Sequence, residues 1–129
     1  MDMGHYILDG HKPKRVSLME WAQWFEDNRG ERQVGLARIG MVTVSTVFLG
    51  LDHQWGDGPP LLFETMIFNG ANDQYQTRAS TWDEAEEQHK EAVTLVRATP
   101  WYSNAWWFVT DIAKELVDDY RRKMRRREE

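Results

Sequence analysis

The sequence predicts an α+β domain, in which a small antiparallel sheet of three to five strands is covered on one face by about three helices, the last of them long. Short apolar runs separated by Gly- and Pro-containing turns fill the middle of the chain, as expected for strands. Apolar residues at helical spacing occur before and after these runs. The length of 129 residues fits one domain with a single sizeable core.

The first 30 residues predict one strand and one helix. Residues 5–8 form a short apolar segment that ends at the turn dipeptide Asp9-Gly10, and residues 12–14 continue as a loop. The S-x-x-E pattern that begins at Ser17 is a capping box, which satisfies free backbone N–H groups at the start of a helix. The apolar spacing that follows predicts a helix over residues 18–28.

The middle of the chain predicts the sheet. Residues 32–38 and 41–51 are expected to form two strands joined by a hairpin at Ile39-Gly40. Residues 61–68 are apolar on both faces, which is typical of a central strand. Residues 74–79 supply one more strand after a turn rich in Asn and Gly.

The last third predicts two helices, over residues 82–97 and about 103–125. A second capping pattern begins at Thr81, and Thr99-Pro100 ends the first helix and allows the next to begin. The chain therefore divides into an α+β core, residues 1–98, and an aromatic-rich C-terminal helix with a basic end, residues 99–129. The apolar stripe of that helix consists of Trp106, Val109, Ala113, Leu116, Tyr120 and Met124, with Ile112 and Val117 beside it.

Composition excludes several classes of site. The chain has no Cys, which excludes disulfides, thiolate zinc sites and cysteine nucleophiles and fits a reducing cytoplasm. The N-terminal residues do not have the basic and apolar regions of a secretory signal. No apolar run approaches the roughly 20 residues that span a bilayer. We therefore expect a cytoplasmic protein with no membrane partner.

The charge is unevenly distributed. Residues 121–127 hold six of the 16 basic residues, so that residues 1–120 carry 10 basic and 19 acidic side chains and a net charge of −9. An acidic body repels nucleic acid, so nucleic-acid binding is expected only through the basic tail. The tail also has a purely structural interpretation, because cations at a helix C-terminus offset the helix dipole.

A polar loop between two apolar runs is the candidate site. Asp52 and His53 end one predicted strand, Trp55 lies in the loop, and Glu64 lies among apolar residues of the next strand. His89 falls on the apolar stripe of the helix expected to cover the sheet, so we expect that helix to bring His89 onto the sheet beside Glu64.

Two kinds of chemistry are open for this group. Imidazole and carboxylate side chains hold small ligands or metal ions, and a buried carboxylate with a raised pKa serves as an acid or base. The pattern contains no metal-binding spacing such as H-E-x-x-H, so we predict no metal, no cofactor and no catalytic residue. A small enzyme that uses His53 and Glu64 remains the alternative. A structural role, in which Glu64 and His89 hydrogen-bond each other or the backbone, is also open.

Aromatic and basic side chains suggest partners. Trp101, Trp106 and Trp107 are interface candidates, because neighbouring Trp106 and Trp107 point about 100° apart and one apolar stripe cannot bury both. We expect these aromatic residues to serve a homo-oligomer or packing within the chain, a host-protein interface, or stacking on a nucleobase. For a nucleotide-type signal, Arg78, with Arg38 or Lys14, is the expected phosphate contact.

The strings YILDGHKP, LMEWAQWFE, VSTVFLGLDHQWGDGPPLLFETMIF and STWDEAEEQH, within residues 5–97, resemble a family of small uncharacterised proteins found in bacteriophage and prophage genomes. The resemblance implies a phage setting inside the bacterial cytoplasm and carries over no activity and no catalytic residue. We therefore expect a non-enzymatic accessory protein that binds a host protein or a small nucleotide-type signal, with a counter-defence role by inhibition or sequestration.

Overall fold

The computed structural model describes residues 4–54 and 56–128, and within them the chain forms six strands and three helices. The elements in chain order are β1 His5–Asp9, β2 Lys12–Val16, α1 Leu18–Asp27, β3 Gln33–Ile39, β4 Val42–Phe48, β5 Phe63–Phe68, β6 Gln76–Ala79, α2 Trp82–Ala98 and α3 Trp101–Glu128. The α+β class predicted from the sequence is confirmed, including the long C-terminal helix.

The main sheet is an antiparallel meander in the order β3-β4-β5-β6. Alternate residues of β4, from Val42 to Phe48, are buried, and so are alternate residues of β5, from Phe63 to Ile67. The register pairs Phe48 with Phe63, so both buried sets lie on the same face. α2 packs across all four strands on that face and buries Ala85, Ala92 and Val96 against it.

The N-terminal segment extends the core beyond one end of the sheet. β1 and β2 form a separate two-stranded hairpin, and α1 packs on β1. Leu8 joins the core cluster around Phe48, and the Trp24 ring packs edge-to-face on the Phe48 ring with centroids 5.7 Å apart. The N-terminal hairpin is thereby anchored to the same layer as α2.

The second strand of that hairpin differs from the sequence prediction. Residues 12–14 were expected to be loop, but they belong to β2, which pairs with all of β1. The strand carries Lys, Pro and Arg side chains and lacks an apolar alternation. It forms because the turn at Gly10, with φ of +64°, directs the chain back along β1.

Both predicted helix caps are confirmed. The Ser17 side chain accepts a hydrogen bond from the Glu20 backbone N–H (3.2 Å), and the Thr81 side chain accepts one from the Glu84 N–H (3.1 Å). Each cap satisfies a backbone donor that the helix itself leaves unpaired. The starts of α1 and α2 are therefore determined by local sequence.

α3 projects from the body. Its 28 residues span about 42 Å, at 1.5 Å per residue, and none of them is buried. Its first turns contact the body through Asn104, whose side-chain oxygen accepts a hydrogen bond from the Ala71 N–H (3.0 Å). Of the three helices in the described part of the chain, none combines the length and apolar composition needed to cross a bilayer.

Candidate functional site

His89 lies over a row of small polar residues that crosses the sheet. Its Nδ1 atom is hydrogen-bonded to Thr46 Oγ1 (2.8 Å), and Thr46 Oγ1 is hydrogen-bonded to Thr65 Oγ1 (2.7 Å). The strand register continues this row to Gly35 on one side and to Thr77 on the other. We call Gly35, Thr46, Thr65 and Thr77 the threonine row.

The threonine row divides the core. On one side lies the apolar cluster around Phe48 and Phe63, and on the other lies the cluster around Val44 and Ile67. Thr46 and Thr65 are buried, and desolvation by burial lowers the pKa of His89, so the neutral imidazole is favoured. The hydrogen bond between His89 and Thr46 ties α2 to this level of the sheet.

Glu64 lies on the opposite face of the sheet from His89. Its neighbours Phe63 and Thr65 are buried beneath α2, and successive side chains of a strand point to opposite faces. The Glu64 carboxylate accepts hydrogen bonds from Gln76 Nε2 (2.6 Å) and Arg78 Nε (3.4 Å). The expected convergence of Glu64 and His89 is therefore wrong, because the sheet separates them.

Asp52 and His53 lie in the segment between β4 and β5. Asp52 Oδ1 accepts hydrogen bonds from the backbone N–H groups of Gln54 (2.8 Å) and Leu61 (3.1 Å), so the carboxylate ties the two ends of the loop together. The His53 backbone N–H also donates to Leu61 O (3.2 Å). Trp55, the remaining loop candidate, lies outside the described residues.

The predicted site residues thus fall into three separate places. His89 belongs to the core, Asp52 and His53 belong to the loop, and Glu64 and Arg78 form an ion pair on the other face of the sheet. No hydrogen bond links His53 to Glu64 within residues 4–54 and 56–128. The same residues contain no group of three or more His, Asp or Glu side chains placed to hold a metal ion.

The face of the sheet opposite α2 is a surface that sequence reasoning missed. No helix lies on it in the described part of the chain, and its exposed apolar side chains include Leu36 (52% exposed) and Phe68 (43%). We call it the open sheet face. It consists of Leu36, Arg38, Thr43, Ser45, Val47, Glu64, Met66, Phe68, Gln76 and Arg78.

The residue pattern of the individual strands predicts the open sheet face only in part. In β4, Thr43 and Ser45 alternate with valines, which indicates one buried and one solvated face. In β5 both faces are apolar, so the alternation alone does not tell which face α2 covers. The exposure of Phe68 follows only from its pairing with Thr43.

An apolar cleft lies between the β3–β4 turn and the junction of α2 and α3. Its volume is about 640 Å³, and it is closed on one side by the first turns of α3. Its lining includes Ile39, Val42, Val96, Pro100, Trp101 and Phe108. Volumes of roughly 300–1,000 Å³ are typical of small-molecule sites.

The C-terminal aromatic side chains divide between two sides of α3. Trp101 and Trp106 are 79% and 68% exposed, whereas Trp107 is half-buried on the side of the body. The expectation that one stripe cannot bury both neighbouring tryptophans is confirmed.

No protein-family model matches the chain, and neither a curated protein nor a solved structure shows significant similarity to it.

Proposed function

We propose that this chain is a non-enzymatic accessory protein of a phage or prophage that binds a host protein through the open sheet face, in a counter-defence role. The observation that supports the proposal is a sheet with one face packed under α2 and the other, which carries exposed apolar side chains, not covered by any helix among the described residues. The phage setting comes from the sequence resemblance alone, and the cytoplasmic setting comes from that resemblance together with the absence of Cys.

The open sheet face has the composition of a protein interface. Leu36 and Met66 lie in one row across the sheet, because both pair with Ser45, and Phe68 lies in the next row beside Thr43. Protein interfaces have an apolar centre surrounded by polar and charged side chains. Here the apolar centre is bordered by Arg38 in the same row as Phe68.

The ion pair on the open sheet face would help to orient a bound partner. Arg78 Nε lies 3.4 Å from Glu64 Oε2, and the two side chains are partly exposed. Such a pair contributes little to folding, roughly 0–1 kcal/mol. Both side chains reach the surface, so a partner on this face would meet the pair, and charge complementarity sets specificity and association rate more than affinity.

A second candidate function is the binding of a small nucleotide-type signal in the cleft at the α2–α3 junction. The cleft is supported by its size and by the rings of Trp101 and Phe108 at its wall. Arg97 also lines it and is a suitable phosphate contact. This candidate moves the expected stacking residue to Trp101 and the expected cation from Arg78 to Arg97.

The enzymatic alternative gains no support from the geometry. The Glu64 carboxylate is engaged by Gln76 and Arg78, and its strand position directs it away from α2. The Asp52 carboxylate is engaged by loop backbone groups. The two carboxylates thus have structural partners, and we do not propose an acid–base pair.

The test of the proposed function compares two aspartate variants of the full chain. Immobilised wild-type protein is exposed to host lysate, and the captured protein is then purified and titrated. Phe68→Asp places a charge on the open sheet face, and Met19→Asp places the same charge on an exposed position of α1. We expect Phe68→Asp to capture much less of a stoichiometric partner than the wild type and Met19→Asp to capture as much. Equal capture by both variants would reject the open sheet face as the binding surface.

The nucleotide candidate has its own experiment. Cyclic dinucleotides are titrated against wild-type protein and Trp101→Ala, with binding measured by calorimetry. Stacking on an aromatic ring is worth about 1–3 kcal/mol per base, so saturable binding should weaken by at least fivefold in the variant. An absence of heat with the wild-type protein eliminates cyclic dinucleotides as the signal.

A further inference from the structure

The outward face of α3 carries a continuous apolar stripe along most of the helix. The outer stripe consists of Trp106, Val109, Ala113, Leu116 and Tyr120. Its large members are more than half exposed, with Leu116 at 66%. An apolar surface of this length on one helix usually marks an interaction site. This surface is distinct from the open sheet face.

The body does not block the outer stripe. Ser103, Asn104 and Trp107 are half-buried, and Asn104 is hydrogen-bonded to the body at Ala71. Because each residue of a helix turns by about 100°, these residues lie on the side of α3 nearly opposite the outer stripe. The outer stripe therefore faces away from the contact that Asn104 makes with the body, which leaves this side of α3 open to a second helix.

The stripe has the spacing of a coiled-coil seam. Residues 106, 113 and 120 recur every seven positions, and residues 109, 116 and 123 recur between them, as a and d positions do. In an antiparallel pair of complete helices, residue i of one copy faces residue 229 minus i of the other. The central layers of this antiparallel pair then place Trp106 opposite Lys123, Val109 opposite Tyr120, and Ala113 opposite Leu116. Each a position meets a d position of the second copy.

The distribution of charge selects the antiparallel orientation. Residues 101–110 contain no Asp, Glu, Lys, Arg or His, whereas residues 121–127 contain six cations. A parallel pair would bring twelve cations together at one end. An antiparallel pair places each basic end beside the aromatic first turns of the other copy, where cations over Trp and Tyr rings are attracted to them. Asp111 and Asp118 lie on the far side of the helix and stay in solvent.

We propose that the outer stripe is covered by a second copy of this chain, so that the protein is a homodimer whose two α3 helices pair antiparallel in this register. A helix of about 42 Å offers a long interface, and because Trp106 is 68% and Tyr120 64% exposed, burial of these two rings removes roughly 200–330 Å² per copy from water. Stable interfaces bury about 800 Å² per partner, and the aliphatic members of the stripe together with Tyr102, which is 61% exposed and lies seven residues before Val109, contribute the rest.

Molar mass in solution is the first test. The full chain is measured by light scattering after size exclusion, at several concentrations. We expect a dimer for the wild-type protein, a monomer for Leu116→Lys, and a dimer for Asp118→Asn, which adds the same charge on the far side of the helix. Circular dichroism confirms that each variant keeps its helices. A wild-type monomer throughout the concentration series, or a Leu116→Lys dimer, overturns the proposal.

Orientation is tested by disulfide trapping, which the absence of natural Cys makes clean. Val109→Cys and Tyr120→Cys chains are oxidised separately and after mixing. In the antiparallel register the two positions face each other, whereas like positions lie about 16 Å apart along the axis, too far for a disulfide. We expect the crosslink only in the mixture. Crosslinking of either variant with itself indicates a parallel pair and overturns the proposal, and so does the absence of any crosslink.

Discussion

Substitution of Gly35 by Ala tests the threonine row directly. A Cβ atom at this position would lie 2.7 Å from His89 Cδ2 and 2.8 Å from His89 Cγ and Nε2. Real Cβ atoms essentially never lie within 3.0 Å of another heavy atom, so either the His89 ring or the β3 backbone would have to shift. The ring cannot move freely, because its Nδ1 atom is hydrogen-bonded to Thr46 Oγ1 at 2.8 Å. We expect the variant to be destabilised.

The magnitude follows from two destabilising terms and one stabilising term. Overpacking of a well-packed position costs about 1–3 kcal/mol. Replacement of Gly by Ala inside a strand returns roughly 0.5–1 kcal/mol, because the unfolded chain has less backbone freedom to lose. The lost or strained hydrogen bond between His89 and Thr46 adds about 1 kcal/mol. The free energy of unfolding should therefore fall by about 1–3 kcal/mol.

The assay is urea unfolding followed by tryptophan fluorescence. Gly30→Ala is the matched control, because nothing lies within 4 Å of a Cβ at Gly30 and this variant should be neutral or slightly stabilised. The double variant Gly35→Ala with His89→Ala should be more stable than the sum of the two single changes predicts, since the smaller side chain relieves the clash. Strict additivity, or a Gly35→Ala variant as stable as the wild type, would refute the packing described here.

Three further outcomes are expected. Burial lowers the pKa of His89 in the folded protein, so the unfolded state binds more protons. The free energy of unfolding, measured by urea unfolding, should therefore be at its full value above a pH of about 6.5 and should fall as the pH drops towards the folded pKa. The fall should be weaker in His89→Gln. Asp52→Ala should raise hydrogen-exchange rates at the Gln54 and Leu61 amides, whereas Asp52→Asn, which keeps an acceptor oxygen, should raise them less. A double-mutant cycle of Glu64→Gln and Arg78→Gln should give a coupling energy below about 1 kcal/mol, and a larger value would contradict the solvent-screened pair.

Local signals predicted much of the fold. The capping patterns at Ser17 and Thr81 determine two helix starts, because a cap depends on residues only three positions apart. The strands of the main sheet follow from runs bounded by turns. β2 could not be found in this way, because its formation depends on pairing with β1 and not on its own polar sequence.

The prediction that Glu64 and His89 converge was wrong for a physical reason. His89 was correctly placed on the covering stripe of α2, but its partner depends on the register of distant strands. In β5 both Met66 and Ile67 are apolar, so the sequence does not reveal that the face shared by Glu64 and Met66 is the one that α2 leaves uncovered. The threonine row could have been noticed only by aligning Thr46 with Thr65, which requires the observed pairing.

The most direct measurement of the central claim is the dissociation constant of the captured host protein for wild type, Phe68→Asp and Met19→Asp, determined by biolayer interferometry. A buried interface anchor is worth at least about 2 kcal/mol, so Phe68→Asp should bind roughly 30-fold more weakly while Met19→Asp binds like the wild type. A dissociation constant that Phe68→Asp leaves unchanged would contradict binding at the open sheet face.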